Sequence, residues 1–221
     1  MSKVVQVAEL SIYDEEDEVI FENLSFNLGQ GEVAQLTGLT EGQYQVLFHV
    51  LTGEITPDSG QIVLADRNVV RLSGKKRRRM FRNEVSFLLR DFTLPEGKTV
   101  LESLKFKLKL TGPRREEEEK LREVLQLTRL TGEEEKRAQE LDSEKRIQVA
   151  LALSVLNKPK LLICQDPFSS LNSNELDEIL EIIAGINSEY GLTVLFLTDQ
   201  LGRQGEGIKV IESNLDRRVV G

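Results

Sequence analysis

The chain has 221 residues, 39% of them hydrophobic and 30% charged, which supplies material for a real core and argues against general disorder. Twenty-nine basic residues against 37 acidic ones leave a formal charge of −8, so a global nucleic-acid footprint is not expected and only a local basic patch remains open. The single cysteine, Cys164, cannot form an internal disulfide, and neither a signal-peptide pattern nor a run of ~18 apolar residues occurs, so the expectation is a reducing compartment and no bilayer span.

In chain order, the first β-prone segment is 33–37. A helical pattern follows over 44–52, with Gly53 placed to cap it. Further short β-prone segments lie at 61–65, 85–89, 160–164, 193–198 and 208–211, mostly bounded by Gly, Pro, Asp or Asn. Residues 104–110 read LKFKLKL, a full alternation that suggests a strand, although Leu101, Leu104 and Leu108 also fit a helix. Residues 114–130 form a charged helical pattern with Leu121, Val124 and Leu125 as its apolar stripe. A helix over 144–157 is stopped by Pro159. Another spans 172–186, with Asn172 as cap and Glu175 three residues on. Strands alternating with helices of this length predict an α/β fold with a largely parallel sheet.

Two acidic runs, 14–18 and 116–119, read as solvated surface. The basic run 75–79, with Arg82, reads as solvated surface or as a contact for anionic lipid or an acidic loop. His49, the only histidine, has no second ligand or base near it in a motif, and Cys164 reads as a small buried residue.

The segment LTGLTEGQYQVLFHVLTGEITPDSG has the layout of a phosphate-binding loop: strand, glycine turn, helix, then a second turn into a strand. KLLICQDPFSSLN resembles a Walker B strand with its D-loop, and VSFLLRDFTLPEGKTVLESL a Q-loop with the following helix. Residues 141–159 resemble a signature helix, and GLTVLFLTDQL a switch strand. Together they resemble the ATP-binding subunit of ABC transporters. The D-F-x-L and T-V-x-E-x-L elements are similar to the cell-division FtsE branch and its lipoprotein-export relatives. The resemblance runs along essentially the whole chain.

The resemblance implies a P-loop NTPase core of mostly parallel sheet, at about 1–90 and 145–221, with a helical subdomain at about 91–144. It also makes LKFKLKL a helix. It implies ATP and Mg²⁺ as cofactors, yet the residues at the matching positions are changed. Gly38, Thr40 and Gly42 stand in the loop, with Glu41 and Gln43 where further glycines belong. Tyr44 takes the place of the phosphate-binding lysine, and Gln45 that of the metal-binding hydroxyl. Gln165 replaces the metal-positioning aspartate, and a neutral amide is a poor Mg²⁺ ligand beside a carboxylate. Asp166 and Asp199 stand at the positions of the catalytic glutamate and the switch histidine. Arg90 replaces the Q-loop glutamine, and Asp142, Ser143 and Glu144 replace the signature Ser-Gly-Gly. Tyr13 matches an adenine-stacking aromatic, or is a loop aromatic that covers the sheet edge.

The expectation is therefore a hydrolysis-impaired cassette subunit that docks an FtsX-like integral membrane permease. It would form a homo- or heterodimer with another cassette chain, bind no nucleic acid, and be cytoplasmic and peripheral at the inner face of the membrane. The alternatives are a working ATPase in the same kind of complex and a non-transporter scaffold. The docking groove would be bordered by Arg90, Asp91, Phe92, Leu94 and the helix expected from Thr99 to Leu104.

Overall fold

A computed structural model describes residues 3–111, 117–199, 201 and 207–213. The chain begins with a long hairpin. Strand β1, Lys3–Tyr13, pairs antiparallel with β2, Val19–Gly29. The acidic run 14–18 is its exposed turn, where the Asp14 carboxylate accepts the N–H groups of Glu16 and Glu18, each at 2.9 Å. Pattern reading placed no strand before residue 33. The hairpin escaped it because Glu9 and Asn23 take positive φ close to register shifts, which breaks the alternation. Strands β4, Ser59–Leu64, and β5, Arg67–Asn68, complete an antiparallel sheet in the order β2-β1-β4-β5.

The second sheet is wholly parallel. It comprises β3 (Val33–Thr37), β6 (Val85–Leu89), β7 (Leu161–Gln165), β8 (Thr193–Leu197) and β9 (Lys209–Glu212), in the order β6-β7-β8-β3-β9. Five of the six expected strands lie here, and the segment 61–65 went to the antiparallel sheet. Successive residues of β7 and β8 face opposite sides. Leu161, Ile163, Leu195 and Leu197 enter an apolar cluster with β1, β2 and β4. Leu162, Cys164, Val194 and Phe196 enter the cluster on the other side. Burial on both faces explains why these strands read as continuous apolar runs. It also pushes the Cys164 thiol up and leaves it inert.

Helix α1, Glu41–Leu51, lies on the β1 side. It starts three residues before the expected helix because Thr40 and Gln43 form a capping box. Helix α2, Gly74–Asn83, was not foreseen: only Met80 is buried on it, so it has no periodic apolar stripe. On the other side lie α3 (Val100–Thr111), α4 (Glu117–Leu127), α5 (Ser143–Val155) and α6 (Ser173–Tyr190). LKFKLKL is helical. Leu104 and Leu108 bury one turn apart, while Phe106 and Leu110 stay exposed. The helix expected over 114–130 is seen as α4, and residues 114–116 lie outside the described residues. Asn172 and Glu175 form the expected capping box. The helix they start runs on to Gly191, which ends it in the left-handed conformation at φ 62°.

Parallel register brings the carboxyl ends of four strands level: Leu89 pairs with Gln165, Gln165 with Leu197, and Leu197 with Leu36. In open α/β sheets that edge is where ligands bind.

Candidate nucleotide cleft

Each of the four strand ends delivers one polar group to the same place, three of them side chains and the fourth the Gly38 N–H. Arg90 follows β6, Asp166 follows β7, Asp199 lies two residues past β8, and Gly38 follows β3. Helix α1 adds Glu41, Tyr44 and Gln45 from its first turns. A cavity of about 330 Å³ is lined by Glu41, Tyr44, Gln45, Arg90, Gln165, Asp166 and Asp199, with Leu39, Leu89, Asp91, Leu197 and Thr198 between them.

Two networks fill the polar part of this cleft. In the first, the Tyr44 hydroxyl lies 3.0 Å from the Leu36 carbonyl oxygen and 3.0 Å from Asp199 Oδ1. The Gly38 N–H donates to the same carboxylate oxygen at 3.1 Å. Gly38 has φ +82°, and a Cβ there would stand 2.9 Å from Ser213 Oγ, so the turn requires glycine. Burial, reinforced by Asp199, raises the Tyr44 pKa and keeps the phenol protonated. In the second network, one Arg90 nitrogen donates to Glu41 Oε1 at 2.8 Å and the other to Asp166 Oδ2. Asp166 is buried and takes a second hydrogen bond from Thr198 Oγ1 at 3.3 Å. Asp166, above all, and then Glu41 raise the Arg90 pKa further, so this cation is permanent.

Six of the ten site residues named from the sequence line the cavity: Tyr44, Gln45, Arg90, Gln165, Asp166 and Asp199. Gly38 stands directly behind Asp199. Thr40 caps α1, and Gly42 faces open space within it. Tyr13 does not line the cavity. It ends β1, 41% exposed, with its N–H donated to Asp58. Sequence reading missed the pairing of Glu41 with Arg90, which lie 49 positions apart and carry no local signal of contact. Phe92 and Leu94 also differ from expectation. Leu94 is buried in the chain's own core and Phe92 packs against it, so neither is a free docking residue.

The residues present do not fit a nucleoside triphosphate with Mg²⁺. Among the described residues Arg90 is the one cation lining the cavity, against the carboxylates of Glu41, Asp91, Asp166 and Asp199, and two of those carboxylates already engage it. A carboxylate at ~4 Å from a phosphate charge costs about 4 kcal/mol at an effective dielectric of ~20. Tyr44 lines the same cavity with its hydroxyl already engaged by Leu36 and Asp199. The start of α5 is acidic as well. Asp142 accepts the Lys145 N–H at 2.8 Å, and burial, then the charge of Glu178, raises the Glu144 pKa.

Residues 21–169 match the family model described as ABC transporter. The methionine import ATP-binding protein MetN of Geobacillus kaustophilus is 28% identical over 202 residues, which cover 91% of this chain and 57% of that protein. MetN of Caulobacter vibrioides is 30% identical over 179 residues, 80% of this chain and 54% of that protein. The chain thus spans a little over half the length of these relatives. Among solved structures, cbiO1 from Clostridium perfringens, part of the transporter complex cbiONQ, superposes with a TM-score of 0.78. The identity is 19%, over 96% of this chain and 85% of that one. The dimeric ATP-binding cassette MJ0796, bound to ADP and Pi, gives 0.75 at 20% identity over 98% and 99%. These relatives replace the expected FtsE branch, and with it the FtsX-like partner, by methionine-import proteins. With the family model matched over residues 21–169 and the fold shared with these cassettes, this chain belongs to the ABC transporter family and has the fold of its ATP-binding cassette.

Proposed function

We propose that the chain is the cassette subunit of a membrane transporter complex and acts through its surfaces, with no ATP turnover in its own cleft. The observation that carries this reading is that the charged groups of the cleft engage one another: Tyr44 is bonded to Asp199, and Arg90 is clasped by Glu41 and Asp166. The chain pairs with a second cassette chain, identical or different, and any turnover the complex needs comes from a chain whose cleft differs from this one. The partner is an integral membrane permease, and the methionine-import names of the relatives make an amino-acid importer the first class to test. The docking groove is taken to be the cavity bordered by Thr93, Glu96, Ala138, Gln139 and Arg146, between the segment after β6 and the start of α5, with the buried Leu94 at its floor. It lies at the margin of a helical subdomain spanning about 91–144, with the core at about 1–90 and 145–221.

The test purifies the tagged chain from detergent-solubilised membranes of its own cells. A permease should accompany it, and a folded Thr93→Arg, Glu96→Arg variant should lose that permease. ATP hydrolysis by the purified complex should be unchanged by Asp166→Asn. Hydrolysis abolished by Asp166→Asn would overturn the silent-cleft reading. A permease retained by the groove variant would overturn the docking assignment.

A further inference from the structure

Helix α2 carries Lys75, Lys76, Arg77, Arg78, Arg79 and Arg82 and no acidic residue, on a chain of net charge −8. Lys75, Arg78, Arg79 and Arg82 recur at i, i+3, i+4 and i+7, so they form one stripe, and all four are exposed. Met80 lies on the opposite face, fully buried, and anchors the helix. The stripe is about 10 Å long at 1.5 Å per residue.

Nothing among the described residues pairs with this charge. Among the described residues no carboxylate forms an ion pair with any cation of α2. The nearby Glu84 pairs with Arg67 and Lys160, and Asp66 with Lys160. The helix also places cations at its own positive end. Its first turn has no acidic residue, and Ser73 makes no side-chain capping bond. Each of these choices opposes helix stability. Local rules broken without internal compensation mark a surface shaped for something outside the chain.

We propose that α2 is a contact helix for anionic phospholipid headgroups. A straight row of exposed cations suits a planar layer of phosphates. The stripe has no aromatic side chain on which a base could stack, which argues against single-stranded nucleic acid. The helix enters β6 at its amino end and the cleft lies at the carboxyl end of that strand, so this surface is separate from the cleft. The choice of a membrane rests on membership of a membrane-transporter family, but the contact itself needs no permease.

The test is co-sedimentation of the full chain with vesicles of phosphatidylglycerol and phosphatidylcholine in equal parts, and with vesicles of phosphatidylcholine alone. Binding is expected to the first only. It should collapse as ionic strength rises from about 0.1 M to about 1 M and the Debye length falls from about 10 Å to about 3 Å. Lys75→Glu, Arg78→Glu, Arg79→Glu should weaken it by at least about a hundredfold, at about fivefold per cation near an anionic leaflet. That variant should fold, because all three side chains are exposed and Lys75→Glu puts a carboxylate in the first turn, at the positive end of the helix. Arg78→Lys, Arg79→Lys should bind as the parent does. No binding to the anionic vesicles, or equal binding by the charge-reversed variant, would overturn the proposal. Tighter binding of duplex RNA than of vesicles through the same residues would overturn it too, by reassigning the stripe to nucleic acid. Vesicles hold no permease, so a failed result here leaves the transporter reading standing.

Discussion

Arg90→Ala removes the side chain that ties the end of β6 to both α1 and the end of β7. The two arms differ in worth. The Glu41 side chain is 68% exposed, so its arm is a surface ion pair of ~0–1 kcal/mol. The Asp166 side chain is only 12% exposed, and a hydrogen bond to such a charged group is worth ~1.5–3 kcal/mol. Arg90 itself is 43% exposed, so solvent screening reduces the Asp166 arm to ~1–2 kcal/mol. For a chain of this size, that lowers Tm by roughly 2–8 °C. Urea unfolding at neutral pH of Arg90→Ala, Asp166→Ala, Glu41→Ala and the two doubles with Arg90→Ala gives both couplings. The Arg90–Asp166 coupling should be ~1–2 kcal/mol, and the Arg90–Glu41 coupling about half a kcal/mol or less. An Asp166 coupling no larger than that of Glu41 would refute the clasp as a buried anchor.

Tyr44→Phe leaves the ring in place and removes the hydroxyl shared by Leu36 and Asp199, so thermal unfolding should show a loss of ~1–2 kcal/mol. Equal stability would mean that the hydroxyl is not bonded in solution. Glu32 is held below the ordinary carboxylate range, first by the Gly29 N–H that its Oε2 accepts at 2.7 Å. A lowered pKa adds stability above the unfolded value, and that contribution vanishes as pH falls through the folded value. Glu32→Gln should therefore cost up to ~1 kcal/mol at neutral pH, with the difference shrinking toward about pH 3. A difference that grows on acidification would contradict the sign.

The parallel sheet was legible because its strands are buried on both faces, so each is a short apolar run with turn residues at its ends. The Asn172–Glu175 box was legible because a cap acts within one helical turn. The β1–β2 hairpin was not, since Glu9 and Asn23 at positive φ break its alternation, and α2 was not, since a cationic helix with one buried residue has no apolar period. In LKFKLKL the alternation was misleading: tertiary packing of Leu104 and Leu108 decides, not the local pattern. In the cleft, the strand-end positions of Arg90, Gln165, Asp166 and Asp199 followed from the resemblance. The partners they choose did not, because Arg90 meets Glu41 and Asp166 only after the sheet has formed. The D-F-x-L and T-V-x-E-x-L elements marked the cassette but did not discriminate its branch. Phe92 and Leu94 show the same limit: an apolar loop residue does not declare whether its own core or a partner covers it.

The central claim is that the charged groups of this cleft bond to one another and do not take nucleotide and metal. Isothermal titration of the 221-residue chain with ATP, with and without Mg²⁺, tests it most directly. The account predicts no saturable binding tighter than a Kd of about 1 mM, equivalent to about −4.1 kcal/mol, in either condition. A saturating isotherm that requires Mg²⁺ and is lost in Gln45→Ala would contradict it.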